Sequence, residues 1–278
     1  MLIQRFPFQK GQSIILIFLL IIVFGLLIVI GQCRRSNVAG PDATVSGVGP
    51  VGDTIDVAVE FSPLSYYVSG DSILGLDYEL IKSIAEMSGR YLRFHVIPSL
   101  DSASEGIADG MYDLVISSLP STQSLKETWR LSEPVYLDRE VLVQLKDSLH
   151  FISDAGQLAN DTVWIVAGSP FIQRIQNLSS EIGEPIAVES PQGFSAEQLV
   201  AKVARGEIPR VVVNEGIARQ LQASRYPDID FSTPVSFNQF QCWIVSDVNP
   251  AFADSLNIWL TRFKETEDYQ LILSKYGF

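Results

Sequence analysis

The sequence predicts an α/β fold of two lobes, the second inserted in the first and joined to it by two crossing strands. Three observations predict it. Apolar strands and amphipathic helices alternate from Ile55 to Ile116 in the order β-α-β-α-β, the pattern of a parallel sheet with right-handed crossovers. A second α/β series starts at Thr162 and runs through Val211-Val212-Val213 into another helix. Two further strand-like runs, Val141–Leu145 and Phe240–Val245, bracket that second series, one placed to leave the first lobe and one to return to it.

Ahead of the lobes lies a very apolar run. Residues 14–30 hold only apolar side chains and Gly25, close to the ~20 residues that cross a bilayer and longer than the ~7–15-residue core of a secretory signal. Two readings stand. One is an uncleaved single-pass anchor. The other is a lipoprotein signal, because Ile30-Gly31-Gln32-Cys33 resembles a lipobox, although Gln32 stands where a small residue is expected. Both tether the two lobes to a membrane, outside the cytoplasm. Residues 1–35 are therefore assigned to an anchor or signal and 36–53, rich in Gly, Ser, Val and Pro, to a linker. The globular domain is 54–278, with lobe 1 as 54–144 and 239–278 and lobe 2 as 145–238.

Within lobe 1, Ile55–Val59 reads as a strand ending at Phe61-Ser62-Pro63. Gly75-Leu76-Asp77 opens a helix through Ser88, with Leu80, Ile81, Ile84 and Ala85 on one face and Gly89 as its stop. Leu92–Ile97 is the next strand, and Asp101 is read as the cap of a short helix ending near Gly110. Leu114-Val115-Ile116 then runs into a hydroxyl loop, Ser117-Ser118-Leu119-Pro120-Ser121-Thr122, followed by a short polar helix. A buried strand ending in hydroxyls and a helix N-terminus describes a ligand-facing sheet edge. In lobe 2, Thr162–Val166 ends in Ala167-Gly168-Ser169-Pro170, a turn expected to leave backbone amides free for a ligand. Ser195-Ala196-Glu197-Gln198 is a capping box for a helix closing at Gly206, and Val211–Val213 ends at Asn214-Glu215. Pro250 starts a helix whose Phe252, Leu256, Trp259, Leu260 and Phe263 read as core packing.

Composition narrows the function. Of 20 Lys and Arg, four (Arg5, Lys10, Arg34 and Arg35) precede the first acid, Asp42, leaving 16 against 32 Asp and Glu. No basic stripe remains for a phosphate backbone, so nucleic acid is excluded as a partner. The two cysteines, Cys33 and Cys242, and the two histidines, His95 and His150, form no cluster with metal-ligand spacing, so neither a metal nor a cofactor is expected. Cys242 reads as a small buried hydrophobe, and a disulfide to Cys33 is not expected.

The segments FSPLSYYVSGDSILGLDYELIKSIAEMSG, DLVISSLPST, LSEPVYLDREVLVQ, VWIVAGS, GEIPRVVVNEG and YQLILSKYGF, in that order, resemble the type 2 periplasmic solute-binding proteins, family 3. The pattern is similar above all to the binding-like domain that precedes the catalytic domain of membrane-bound lytic transglycosylase F. The resemblance covers Asp53 to Phe278 and rests on order and spacing, not on one motif. It implies the type 2 periplasmic binding fold, a ligand in the cleft between lobes, and a periplasmic domain working with an ABC transporter permease. It also implies ligand contacts at Phe61, Ser117, Ser118, Thr122, Gly168, Ser169 and Asn214. Two departures matter. The arginine that holds an amino-acid carboxylate in this family corresponds to Leu125, beside Lys126, and the aspartate that holds its amine corresponds to Asn214. Leu cannot replace a bidentate guanidinium, and Asn cannot neutralise an ammonium. An aromatic often found near the second helix corresponds to Leu100.

The function expected is thus capture of a small polar solute, amino-acid-like or a cell-wall fragment, for transport. A cell-wall-fragment sensor related to the transglycosylase, whose catalytic domain would begin where this chain stops, is the alternative. No catalytic site is expected: two scattered histidines make no Ser-His or Cys-His pair, and glycoside chemistry needs two opposed carboxylates.

Overall fold

The structure, a computed structural model, describes residues 53–278 apart from Ser99. The anchor, the lipobox-like Cys33 and most of the linker lie outside the described residues.

Two five-stranded sheets carry the fold. The first is built around three parallel strands: β1 (Thr54–Glu60), β4 (Tyr91–Ile97) and β5 (Leu114–Pro120). A hairpin of β2 (Tyr67–Ser69) and β3 (Ser72–Leu74) stands apart from it. Helix α1 (Leu76–Ser88) joins the hairpin to β4, and α2 (Leu100–Ala108) joins β4 to β5. Helix α1 turns its apolar stripe onto the sheet and ends at Gly89, whose φ of 68° supplies the left-handed cap. Helix α2 begins at Leu100, one residue ahead of the expected cap Asp101.

After β5 come α3 (Gln123–Thr128) and β6 (Tyr136–Asp138). The chain then changes sheets. β7 (Glu140–Leu145) pairs wholly within the second sheet, so the switch falls at Arg139, whereas the sequence reading puts the boundary after Gln144. The second sheet continues with β8 (Thr162–Trp164), β9 (Ala187–Glu189), β10 (Arg210–Asn214) and β11 (Ile229–Pro234), in spatial order β11-β7-β10-β8-β9. Its helices are α4 (Phe171–Ile182), α5 (Ala196–Ala204) and α6 (Glu215–Ser224). The predicted capping box is present: Ser195 Oγ accepts from Gln198 N, and the Gln198 side chain accepts from Ser195 N.

β12 (Gln239–Val245) returns to the first sheet and pairs antiparallel with both β5 and β6. That pairing draws Ser117–Pro120 into β5, so most of the expected hydroxyl loop is strand. Helices α7 (Pro250–Phe263) and α8 (Glu267–Lys275) complete lobe 1. Leu256, Leu260 and Phe263 of α7 are buried, and Phe252 meets Trp259 edge-on at 6.3 Å, so the aromatic stripe is core. Cys242 is buried as expected. Among the described residues, no helix is long and apolar enough to cross a membrane.

Candidate functional site

Parallel pairing of β1 with β5 and of β8 with β10 brings the carboxyl ends of each pair to one sheet edge. Phe61 follows β1, Ser117 and Ser118 lie in the second half of β5 with Thr122 just beyond it, Gly168 and Ser169 follow β8, and Asn214 ends β10. Parallel strands place their following loops together, and this gives the expected residues their neighbours.

Their side chains divide sharply by strand alternation. Ser117 shares a face with Glu60 and sits 3.5 Å from its carboxylate, half-buried. Ser118, one residue on, turns to the opposite face with Leu114 and Ile116 and is 8% exposed. Its hydroxyl pairs with Tyr136 OH at 2.7 Å and lies 3.4 Å from Ser65 Oγ. Ser65 donates to Asp77 at 2.6 Å, and Trp243 Nε1 donates to the other Asp77 oxygen at 2.9 Å. Ser118 therefore belongs to a buried polar network inside lobe 1. Burial raises the Asp77 carboxyl, opposed by its hydrogen bonds from Ser65 and Trp243.

Phe61 is 52% exposed and touches Tyr66 edge-on at 5.7 Å. Thr122 caps α3 by accepting from Leu125 N at 3.2 Å. The Leu125 side chain packs on the cluster of Ala58, Ile97 and Leu119 behind the sheet, as does Leu100. The position of the family's arginine is thus a packing position in this chain. The Gly168–Pro170 turn also differs from expectation. Ser169 N donates to Val166 O at 3.1 Å, and the first amides of α4 are taken up by the turn, Phe171 N by Ser169 Oγ at 3.3 Å and Ile172 N by Ser169 O at 3.3 Å. Gly168 supplies the turn, with φ of 75°.

Asn214 is the most telling of the set. It ends β10, is 4% exposed, and its Nδ2 has no partner. It precedes α6 without capping it through its side chain. Tyr66 OH, beneath Phe61, is likewise buried without a partner. Orphan buried polar atoms are rare, and each costs about 1–3 kcal/mol.

A second cluster, missed in the sequence, lies where the lobes meet. Arg139 Nε donates to Glu215 at 2.5 Å, and Arg219 donates to the other Glu215 oxygen at 2.7 Å. Asp138 accepts from the amides of Arg139 at 2.8 Å and Gly216 at 3.3 Å. Burial pushes the Asp138 carboxyl up to about 7 against the pull of those two amides. Among the described residues, no group of three or more His, Cys, Asp or Glu is arranged to hold a metal.

The profile of the bacterial extracellular solute-binding proteins, family 3, matches residues 54–278. The chain belongs to this family. Among curated proteins, the family 3 domain of this chain is similar to the membrane-bound lytic murein transglycosylase F of Desulfosudis oleivorans, 26% identical over 222 residues, which cover 80% of this chain and 48% of that one. The same enzyme of Shewanella loihica is 23% identical over 207 residues, 74% of this chain and 43% of the relative. The chain thus spans less than half the length of these relatives. Among solved structures, an ancestral arginine-binding protein bound to arginine has a TM-score of 0.70 at 18% identity, covering 81% of this chain and 99% of that one. An amino acid ABC transporter substrate-binding protein from Streptococcus pneumoniae bound to L-arginine has a TM-score of 0.67 at 20% identity, covering 81% and 94%. At these identities the likeness establishes the type 2 periplasmic binding fold.

Proposed function

We propose that this chain is a non-enzymatic, membrane-tethered solute-binding protein that takes a small polar ligand into the cleft between its lobes, outside the cytoplasm, and passes it to an ABC transporter permease. The observation that carries the binding reading is Asn214 Nδ2. It is a buried donor without a partner at the strand end where the family places its ligand. An unpaired amide donor suits a carbonyl, hydroxyl or carboxylate oxygen. Ser117, Phe61 and the Gly168–Ser169 turn supply further polar and aromatic surface, while Ser118 acts through its network. With Leu125 packed into lobe 1, the site holds no guanidinium at the family's carboxylate-binding position, which favours a neutral polar ligand over a free amino acid.

A second reading is a cell-wall-fragment binding or sensing module. The transglycosylase relatives favour it, because the matched region is about half of each of those enzymes.

Thermal unfolding of the full chain in detergent, with amino acids, short peptides, sugars and muropeptides each added, separates the readings. A ligand at ~100 times its Kd adds about 2.7 kcal/mol of stability. Stabilisation by a small solute that Asn214→Ala abolishes supports the first reading, and stabilisation by muropeptides alone supports the second. Stabilisation by free amino acids with full affinity would overturn the argument from Leu125. Turnover of peptidoglycan by this chain would overturn the non-enzymatic reading.

A further inference from the structure

Helix α8 ends in a turn that the residues after it specify. Tyr276 is the C-cap, and Gly277 follows in the left-handed region with φ of 84°. Gly277 N donates to Ser274 O at 3.1 Å and Phe278 N donates to Leu273 O at 3.0 Å, the paired bonds of a Schellman turn. That turn carries the chain off the helix axis. Tyr276 itself is fixed in lobe 1. Its hydroxyl donates to Glu79 at 2.5 Å and accepts from Gly75 N at 2.8 Å, and 2% of its surface is exposed.

What Tyr276–Phe278 meets next is lobe 2. Tyr276 O is one of the last carbonyls of a helix and has no partner inside it; Gln220 Nε2 of α6 donates to it at 3.2 Å. The Phe278 ring lies 5.5 Å from the Arg219 guanidinium of α6, a cation–π contact, and 5.1 Å from the ring of Tyr136 in lobe 1. The fit is close. A Cβ on Gly277 would lie 2.8 Å from Arg219 Cδ, and a Cβ on Gly216 would lie 2.7 Å from Phe278 Cζ and 2.8 Å from Leu64 Cδ2. A glycine in each lobe therefore makes the approach possible.

These contacts do not follow from strand pairing. The register of β10 on β7 runs only as far as Asn214 and Glu140, whereas Arg219 and Gln220 lie beyond the first turn of α6 and meet a segment that follows α8. The packing behind them is also shared. Leu64, Tyr136 and Tyr276 of lobe 1 lie in one buried cluster with Ile217, Ala218 and Leu221 of α6, and Phe278 packs against it. The opposite faces of the two sheets have separate clusters, one around Leu119 and Ile244 and one around Leu142 and Val212. Among the described residues, the lobes share core on the α6 side and keep separate cores on the other.

We propose that Tyr276–Phe278 is a brace between the lobes: seated on α6, it holds the ligand-free chain at a single angle between lobe 1 and lobe 2. Two strand crossings alone, β6 to β7 and β11 to β12, form a hinge about which two packed bodies can turn. The brace adds a tie outside both crossings, made of a hydrogen bond, a cation on a ring and an apolar seat. Close-packed surfaces of this kind hold discrete arrangements and do not deform continuously. The cleft is then set before a solute arrives. That consequence rests on the binding reading above, while the brace itself rests only on the fold.

Distances between spin labels in the full chain in detergent, without ligand, test it. The labels are placed by Ile258→Cys on α7 of lobe 1 and Gln176→Cys on α4 of lobe 2, both exposed, in a chain that also carries Cys33→Ser. Cys242 is 1% exposed and takes no label. With the brace intact the distance should be single and narrow. Phe278→Ala empties the seat, and Gly277→Ala strains a turn at positive φ and meets Arg219, so each should broaden or shift that distance. Leu271→Ala, at an exposed position of α8, should leave it unchanged. A broad or two-peaked distance with the brace intact, an unchanged distance in both brace variants, or an equal change from Leu271→Ala overturns the proposal. Should both brace variants fail to fold, the distance with the brace intact still decides.

Discussion

Asp77 and Asp138 are both carboxylates removed from water, and they are held in opposite ways. Asp77 lies inside lobe 1, where Ser65 and Trp243 each donate to one of its oxygens. Every bond it makes is within a single packed unit, so no motion of the lobes changes its surroundings. Asp138 lies between the lobes and is held only by backbone amides, one from each side of the crossing. Equal burial therefore has unequal meaning. The first carboxylate specifies the packing of a lobe, and the second joins the end of β6 to the start of α6. A buried polar group is worth most to uniqueness where all its partners belong to one rigid body.

The largest expected effect breaks the first member of the pair. Asp77→Ala strands the Trp243 indole N–H without an acceptor and leaves the Ser65 hydroxyl only its longer contact to Ser118 Oγ at 3.4 Å. It should cost about 3–5 kcal/mol in denaturant unfolding, adding an unsatisfied donor to a cavity. A cost below about 1 kcal/mol would mean that the network is not what holds this face of lobe 1.

The second effect belongs to Asp138 and depends on pH. Its folded value is raised to about 7, so between about pH 4 and 7 the folded chain holds a proton that the unfolded chain has released. Stability from this group is full below about pH 4, declines as the pH rises toward 7, and is constant above it. The whole swing is roughly 4 kcal/mol at most. Asp77, Asp113 and Glu140 are also raised by burial, so the wild type alone mixes their contributions. The difference between wild type and Asp138→Asn, measured by denaturant unfolding from about pH 4 to 8, isolates the one carboxyl. A difference that does not vary with pH would place Asp138 in water.

Ser118→Ala is a smaller test of the same contrast. It removes the hydroxyl bonded to Tyr136 and leaves that phenol buried, for about 1–2 kcal/mol of stability. Because Ser118 turns inward, the loss should be the same with and without a cleft ligand. Loss of ligand affinity with stability intact would reassign it to the cleft. The smallest effect is that of Gly216→Ala, about 1 kcal/mol, since the tips of Phe278 and Leu64 can yield to the new methyl group. A cost of several kcal/mol would show the junction to be as rigid as the Asp77 network.

Parts of this contrast were readable in the chain. Leu80, Ile81 and Ile84 mark the buried stripe of α1, and Asp77, three and four residues before the first two, falls on that same stripe. An acid on an apolar stripe signals a buried, hydrogen-bonded carboxylate, although its partner Trp243 is 166 residues away. Alternation along Leu114, Ile116 and Ser118 likewise indicates that Ser118 turns inward, a signal outweighed in the sequence reading by the density of hydroxyls. The Gly168–Pro170 turn was legible as a turn, but the Ser169 amide goes to Val166 O and the Phe171 and Ile172 amides go to Ser169, which local sequence does not reveal.

The sequence by itself determined the order of strands and helices, the caps at Gly89 and Ser195, and the aromatic core of α7. Those are matters of periodicity, backbone preference and side-chain chemistry, each decided within a few residues. Only the tertiary structure decided that the chain changes sheets at Arg139, that Leu125 packs inward, that Asn214 is left with an unpaired donor, and that Asp138 meets Gly216 across 78 positions of sequence. Those depend on strand register and on how the start of α6 meets the end of β6, and the burial that raises Asp138 exists only once those two elements are in place.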